Sequence, residues 1–360
     1  MREGTLPMLK RLAVVAESID LPREAITTLP EIAALIEGDA ALHEAFRSLA
    51  FELATKPPSE AMAAVKQANL ETRFGVARAR HTYLALALAQ VPATQERHRC
   101  EGISEAMSRA TLSDIGIWVR HFQAQLGMVA ITVEILDWAQ RYLRGALVRI
   151  GGLQFELRPF GGPIRIHQHR ASGAYVLEWL ATGERVDPRT GRCTGERCEA
   201  TGDAFEVVLE PSTYVLDMHI PAGTRVGLTD FAHALADGRA HFAAKHPETR
   251  SVGACGEAWL LDPQLRELMP RLTSLRALQD ACMLYPSTLP EEKTIRRLFG
   301  PDITRAMLPS LPRDALGILH RAVIDHLAEP THRLEARGGA VLWPALDATL
   351  TKLAATRSHA

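Results

Sequence analysis

The hydrophobic period of this 360-residue chain changes abruptly near residue 146, and no other feature constrains its fold as much. Up to about residue 145, apolar residues recur every three or four positions, the spacing of helices with one buried face. Leu6, Leu9, Leu12, Val15 and Ile19 follow this spacing, and so do Phe74, Ala77, Leu84 and Leu88 in a candidate helix from Thr72 to Gln90. Thr28-Leu29-Pro30 and Pro57-Pro58-Ser59 read as helix starts, where proline fits the first turn. Helices over Ser113 to Leu126 and Val129 to Leu143 come next, and Gly145 closes the second.

From Ala146 the period is two, the signature of strands with one buried face. Leu153, Phe155 and Leu157 alternate with Gln154 and Glu156. Strands are expected at 164–169, 175–179 and 205–209. The clearest is 213–220, where Tyr214, Leu216, Met218 and Ile220 oppose Asp217 and His219. The Gly-, Arg- and Thr-rich segment 182–203 reads as a mobile loop or a long hairpin tip. A turn at 221–228 leads into a helix capped by Thr229 and stopped by Pro247, then a strand at 254–261. Helices are expected at 263–269, 272–284, 294–299 and 314–327. The domain reading is therefore 1–145 helical, 146–345 sheet with helices, and 346–360 a tail.

Composition narrows the function. Lys plus Arg number 41 and Asp plus Glu 42, a net charge of −1 that argues against a nucleic-acid binder. Five scattered cysteines make no disulfide framework and fit a reducing cytoplasm. The N-terminus does not resemble a signal peptide, and no apolar run is long enough to span a membrane. A cytoplasmic protein is expected.

The chemistry concentrates in the unit strand, glycine turn, helix, strand over 213–261. A helix N-terminus offers backbone N–H groups and a partial positive charge, and glycines let a phosphate approach. Gly223, Arg225, Gly227 and Thr229 are candidates to cradle a pyrophosphate, with Asp230 counting against an anion there. The alternative is a tight turn before a capped helix. His167 and His169 share one strand face, and Cys193 and Cys198 lie in the 182–203 segment. Neither spacing is a standard zinc pattern, so no metal is expected. P-loop, nucleophile-elbow, HExxH and dinucleotide fingerprints do not occur.

Arg141–Glu156, Leu216–Pro221, Ala258–Pro263 and Leu311–Arg321 resemble bacterial acyltransferase-domain proteins. These join an N-acyltransferase N-terminal domain to a GNAT-like C-terminal domain. The resemblance covers roughly 140 to 340. It implies an α+β fold: a helical N-terminal domain, then a GNAT-like mixed β-sheet domain with C-terminal helices. It also implies an acyl-CoA co-substrate (acetyl-CoA or longer) and a small-molecule or peptide amine as acceptor. In such folds a strand leads through a pyrophosphate loop into a helix, and the next strand splays away to admit pantetheine. The usual loop pattern, Arg or Gln-x-x-Gly-x-Gly or Ala, is not matched, because Arg225 is followed by Gly227.

Acyl transfer to an amine needs a base for nitrogen and an acid for the departing thiolate. Glu156 and His219 are the candidate bases, with Asp217 placed to orient His219. Trp259 is a candidate cofactor contact. Tyr285 is a candidate acid, and Cys255 is either a nucleophile or a buried small side chain; should both bases fail, Cys255, Glu257 and Tyr285 come next. Two rivals remain. One is a GNAT-like protein that binds a ligand or partner without catalysis. The other is a metal- or cysteine-dependent hydrolase using His167, His169, Cys193, Cys198 or Cys255.

Overall fold

The computed structural model describes residues 8–224 and 227–357. The chain divides into two compact units, one holding the residues up to Arg149 with Pro221–Gly223, the other Ile150–Ile220 with Thr224 onward.

The first unit is helical. Its helices are α1 Leu12–Ser18, α2 Arg23–Glu37, α3 Ala40–Thr55, α4 Pro58–Gln67, α5 Leu70–Phe74, α6 Val76–Cys100, α7 Glu105–Leu112, α8 Asp114–Leu126 and α9 Val133–Leu143. The apolar stripes read from the sequence meet in one core that includes Leu12, Ile19, Phe46, Leu84, Leu88 and Trp118. Asp39 caps α3 by accepting from the N–H groups of Ala41 and Leu42, and Ser104 caps α7 through Met107 N–H. One expected start is absent. Thr28 lies inside α2 and donates its hydroxyl to Glu24 O, so α2 runs through Pro30 instead of beginning there. Buried Asp114 accepts the indole N–H of Trp118 at 3.1 Å and of Trp138 at 3.2 Å, which ties α8 to α9.

Strand β1, Leu147–Ile150, spans the boundary between the units. The second unit then carries β2 Leu153–Pro159, β3 Ile164–His169, β4 Tyr175–Trp179, β5 Glu184–Asp187, β6 Arg192–Arg197, β7 Phe205–Leu209 and β8 Tyr214–His219. Helix α10 (Leu228–Lys245), β9 (Gly253–Ala258), a short 3-10 turn at Trp259–Leu261, α11 (Leu265–Leu268), α12 (Thr273–Asp280) and β10 (Met283–Pro286) come after them. The chain ends with α13 Glu291–Phe299, α14 Ile318–Leu327, β11 Arg337–Leu342 and α15 Trp343–Arg357.

Within this unit one sheet has the order β2-β8-β9-β11-β10, and a second the order β6-β5-β4-β3-β7. The 182–203 segment is thus a hairpin, β5 and β6. In the first sheet β8 and β9 run parallel, while β2/β8, β9/β11 and β10/β11 are antiparallel. Helix α10 supplies the crossover that a parallel pair requires. It packs on the Phe155 face of β2, where Gly238 leaves room for the ring. The second sheet covers part of the other face. Ile164, Ile166, Leu177 and Leu209 pack there with Val215, Cys255 and Tyr285.

Two strands escaped the sequence. Helix α12 ends at Asp280, and the expected helix 272–284 runs on too far: its last residues, Met283 and Leu284, begin edge strand β10. Strand β11 is fully buried between β9 and β10, yet Gly338 and Gly339 weaken its strand signal. The glycines are there for space. A side chain at 338 would overlap the Tyr285 ring, which lies across β11 from its paired position on β10. The expected tail 346–360 is mostly helix, since α15 runs to Arg357 and buries Leu346. Gly338→Ala should lower stability by about 1–3 kcal/mol, the usual cost of overpacking, read as a lower midpoint in urea at unchanged slope.

Candidate functional site

Cross-strand register assembles the site from residues far apart in sequence. Glu156 on β2 pairs with Asp217 on β8, and Asp217 pairs with Cys255 on β9. One rung further on β9, Glu257 pairs with Gly338, which pairs with Tyr285. Side chains alternate along a strand, so Glu156, Asp217, His219, Cys255, Glu257 and Tyr285 share one face of the sheet. The expectation that Glu156 and His219 lie on one face of one sheet therefore agrees with the register. Glu156 stands opposite Asp217, while His219 stands opposite Gln154.

Asp217 is the hub of this face. Its carboxylate lies 3.2 Å from His219 Nε2 and 3.2 Å from Arg158 Nη1. The side chains of His219 and Asp217 are 21% and 17% exposed, shielded but reachable. Burial grades the neighbours. Cys255 and Tyr285 are enclosed between the sheets, and burial pushes both the thiol and the phenol well above their ordinary pKa values. A Cys255 thiolate nucleophile is therefore disfavoured. Glu257 is half-buried. Desolvation raises its pKa and Asp217 adds to that, while a hydrogen bond with Ser287 and the charge of Lys293 oppose it.

The β8/β9 ladder has two rungs, Leu216 with Ala254 and Asp217 with Cys255, and then stops. The carbonyl of Met218 turns into the space a side chain at Gly256 would need. Past this point, at the C-terminal ends of both strands, opens a cavity of about 490 Å³. Its wall is built from the segments just beyond the strand ends, with Ile220, Thr224 and Gly227 on the β8 side and Trp259 on the β9 side. Leu272, Leu275, Leu278 and Leu319 complete an apolar lining.

The expected pyrophosphate residues are only partly gathered here. Gly227, with Thr224 beside it, lines the cavity and is the N-cap of α10, without a capping side chain. Thr229 is not the cap; it sits in the first turn of α10. Gly223 takes a positive φ of 76° in the turn and belongs to the first unit. Arg225 lies outside the described residues. Asp230 Oδ2 is 3.6 Å from where a Gly227 Cβ would stand, so a carboxylate already faces the helix start. Trp259 lines the cavity as expected of a cofactor contact. The leucine wall was missed, although Leu272, Leu275 and Leu278 recur every third residue along α12.

His167 lies 3.0 Å from Glu178 and His169 2.9 Å from Ser172, while Cys193 is exposed on β6. No cluster of three potential metal ligands occurs among the described residues. None of the described helices is long and apolar enough to cross a membrane.

Two family models match the chain. The N-acyltransferase N-terminal domain covers residues 10–145, and the GNAT-like C-terminal domain covers residues 147–340. The chain belongs to this GNAT-like acyltransferase family. A crystal structure of an acyltransferase with decanoyl-CoA and teicoplanin shares 21% identity at a TM-score of 0.52, covering 92% of this chain and 99% of that one. A tryptophan-to-alanine mutant acyltransferase in complex with octanoyl-CoA has the same identity and coverage at a TM-score of 0.53. These likenesses show the fold. No curated protein matches the chain.

The burial of Glu257 has a consequence for stability. A carboxyl with a raised folded-state pKa binds its proton more tightly when folded, so its contribution is present at low pH and lost as pH rises through the folded pKa. Glu257→Gln should raise the melting temperature at pH 8 and leave it unchanged at pH 4, below the ordinary value of 4.5. Thermal unfolding across that range checks it.

Proposed function

We propose that this enzyme transfers an acyl group from acyl-CoA to an amine of a small molecule or peptide. The observation that carries the reading is that the parallel pairing of β8 with β9 stops after two rungs, with a cavity at the strand ends and a cluster of proton-active side chains on one face of the same two strands. Ligand pockets of ~300–1,000 Å³ with apolar walls and few polar groups are typical of small-molecule sites. The leucine-lined part suits an acyl chain, and Thr224 and Gly227 at the start of α10 suit the polar part of the donor. Acyl-CoA, CoA and teicoplanin occupy the related crystal structures.

The residues divide the work between them. The thioester carbonyl reaches the gap between the strand ends. The amine approaches from the polar face. His219 takes a proton from the attacking nitrogen, and Asp217 holds the imidazole and steadies its positive charge once it is protonated. Glu156, directly across from Asp217, is the second candidate base. Gly223, Arg225, Thr229 and Trp259 are proposed donor contacts. A purely binding protein is the competing reading, favoured by the unmatched loop and by Asp230 at the helix start.

His219→Asn should lower acyl transfer by ~10²–10⁴-fold while leaving donor affinity unchanged. Single-turnover thiol release from octanoyl-CoA, beside calorimetric binding, separates the two. A parent protein that binds octanoyl-CoA but releases no thiol with any amine would favour the binding reading. Leu275→Trp fills the apolar wall. It should weaken octanoyl-CoA by about tenfold, or ~1.4 kcal/mol, and acetyl-CoA much less. Equal losses for both donors would move the acyl chain out of this cavity.

A further inference from the structure

Converting an ammonium to an amide strips two protons from nitrogen, and a single base accounts for one. The leaving thiolate ends with one of them, and the acyl-transfer reading, on which this inference rests, leaves the ammonium's first proton to be taken by a group beside the ends of β8 and β9. We propose that Glu257 is that group: it receives the acceptor's ammonium and takes its first proton before nitrogen attacks.

Placement is the first argument. Glu257 lies two residues beyond Cys255 on β9, and Cys255 is the rung partner of Asp217. Its carboxylate is thus on the Asp217 and His219 side of the sheet, one rung nearer the cavity than Cys255. Each strand carries one such group close to its cavity end. On β8, His219 immediately precedes cavity-lining Ile220; on β9, Glu257 precedes cavity-lining Trp259 by two residues. An acceptor nitrogen reaching the gap between the strand ends has one of these groups on each side.

The surroundings are the second. A half-buried carboxylate held for stability normally has a cation in contact. Among the described residues Glu257 forms no ion pair; Ser287 donates to it, and Lys293 acts on it only at a distance. Asp217 on β8, Tyr285 on β10, Ser287 after β10 and Lys293 on α13 are the groups that bear on it. Asp217 and burial make its carboxylate more basic than an exposed one, and Tyr285 is too deeply buried to compete as an acid. A carboxylate in this state attracts an ammonium ion and accepts a proton more readily than a solvated one.

The step balances. An N–H bond of the ammonium breaks, its electron pair stays on nitrogen, and the proton binds a Glu257 oxygen. The freed lone pair forms the C–N bond as the C–S bond breaks. The second proton passes through His219 to the leaving thiolate, giving CoA thiol, and Glu257 returns its proton to water.

The test uses octanoyl-CoA with two probe acceptors at pH 7.5: n-butylamine, an ammonium at that pH, and hydroxylamine, already neutral. Glu257→Gln should cut kcat/KM for butylamine by ~10²–10³-fold and for hydroxylamine by less than about tenfold. Octanoyl-CoA affinity should be unchanged by calorimetry. Glu257→Asp, which keeps the carboxylate, should recover part of the butylamine rate with its pH dependence. Equal losses for both probes, or none, would overturn the assignment and leave acyl transfer standing. A parent protein that binds octanoyl-CoA and acylates neither probe would overturn the transfer reading, and this inference with it.

Discussion

Two rungs of parallel pairing between β8 and β9 are the constraint on which the site depends. A parallel pair cannot be joined by a tight turn, so the chain leaves the sheet and returns through α10. That excursion places a helix start beside the end of β8. Pairing stops after Asp217 and Cys255, and the cavity is walled by the segments just beyond the strand ends. Gly256 leaves room for the Met218 carbonyl, so the two backbones approach closely there. A larger residue there would force the two backbones into a different spacing.

Burial changes steeply along one face of the sheet and gives neighbouring titratable groups different environments. Cys255 and Tyr285 lie under the second sheet, where desolvation holds both neutral. His219, Asp217 and Glu257 on the same face stay partly exposed. On the opposite face the Phe155 ring packs against α10 at Gly238. Three carboxylates on the polar face, Glu156, Asp217 and Glu257, suit a cationic acceptor, since acidic groups at a mouth concentrate ammonium ions.

Much of the architecture was legible from residue patterns. The switch from a helical period to alternation marked where sheet begins, and the run from Tyr214 to Ile220 put Asp217 and His219 on one face before any register was known. Strands β10 and β11 were not legible. Short β10 comes within three residues of the end of α12, and β11 carries glycines whose purpose is to admit the Tyr285 ring. Trp259 was read as part of a strand, but the chain has already turned into a 3-10 helix there. Local propensity says nothing about a ring arriving from another strand.

The sequence by itself determined the two structural classes along the chain, the polar face of β8, the helix start after it and the family. Those properties depend on spacing among neighbours, which the order of residues states directly. The tertiary structure alone decided that Asp217 contacts Arg158, that Cys255 and Tyr285 are enclosed, that Glu257 shares the sheet face of Asp217, and that leucines from α12 and α14 wall the cavity. Each depends on strand register and on which surface covers which, and these are set by packing between segments tens to more than a hundred residues apart.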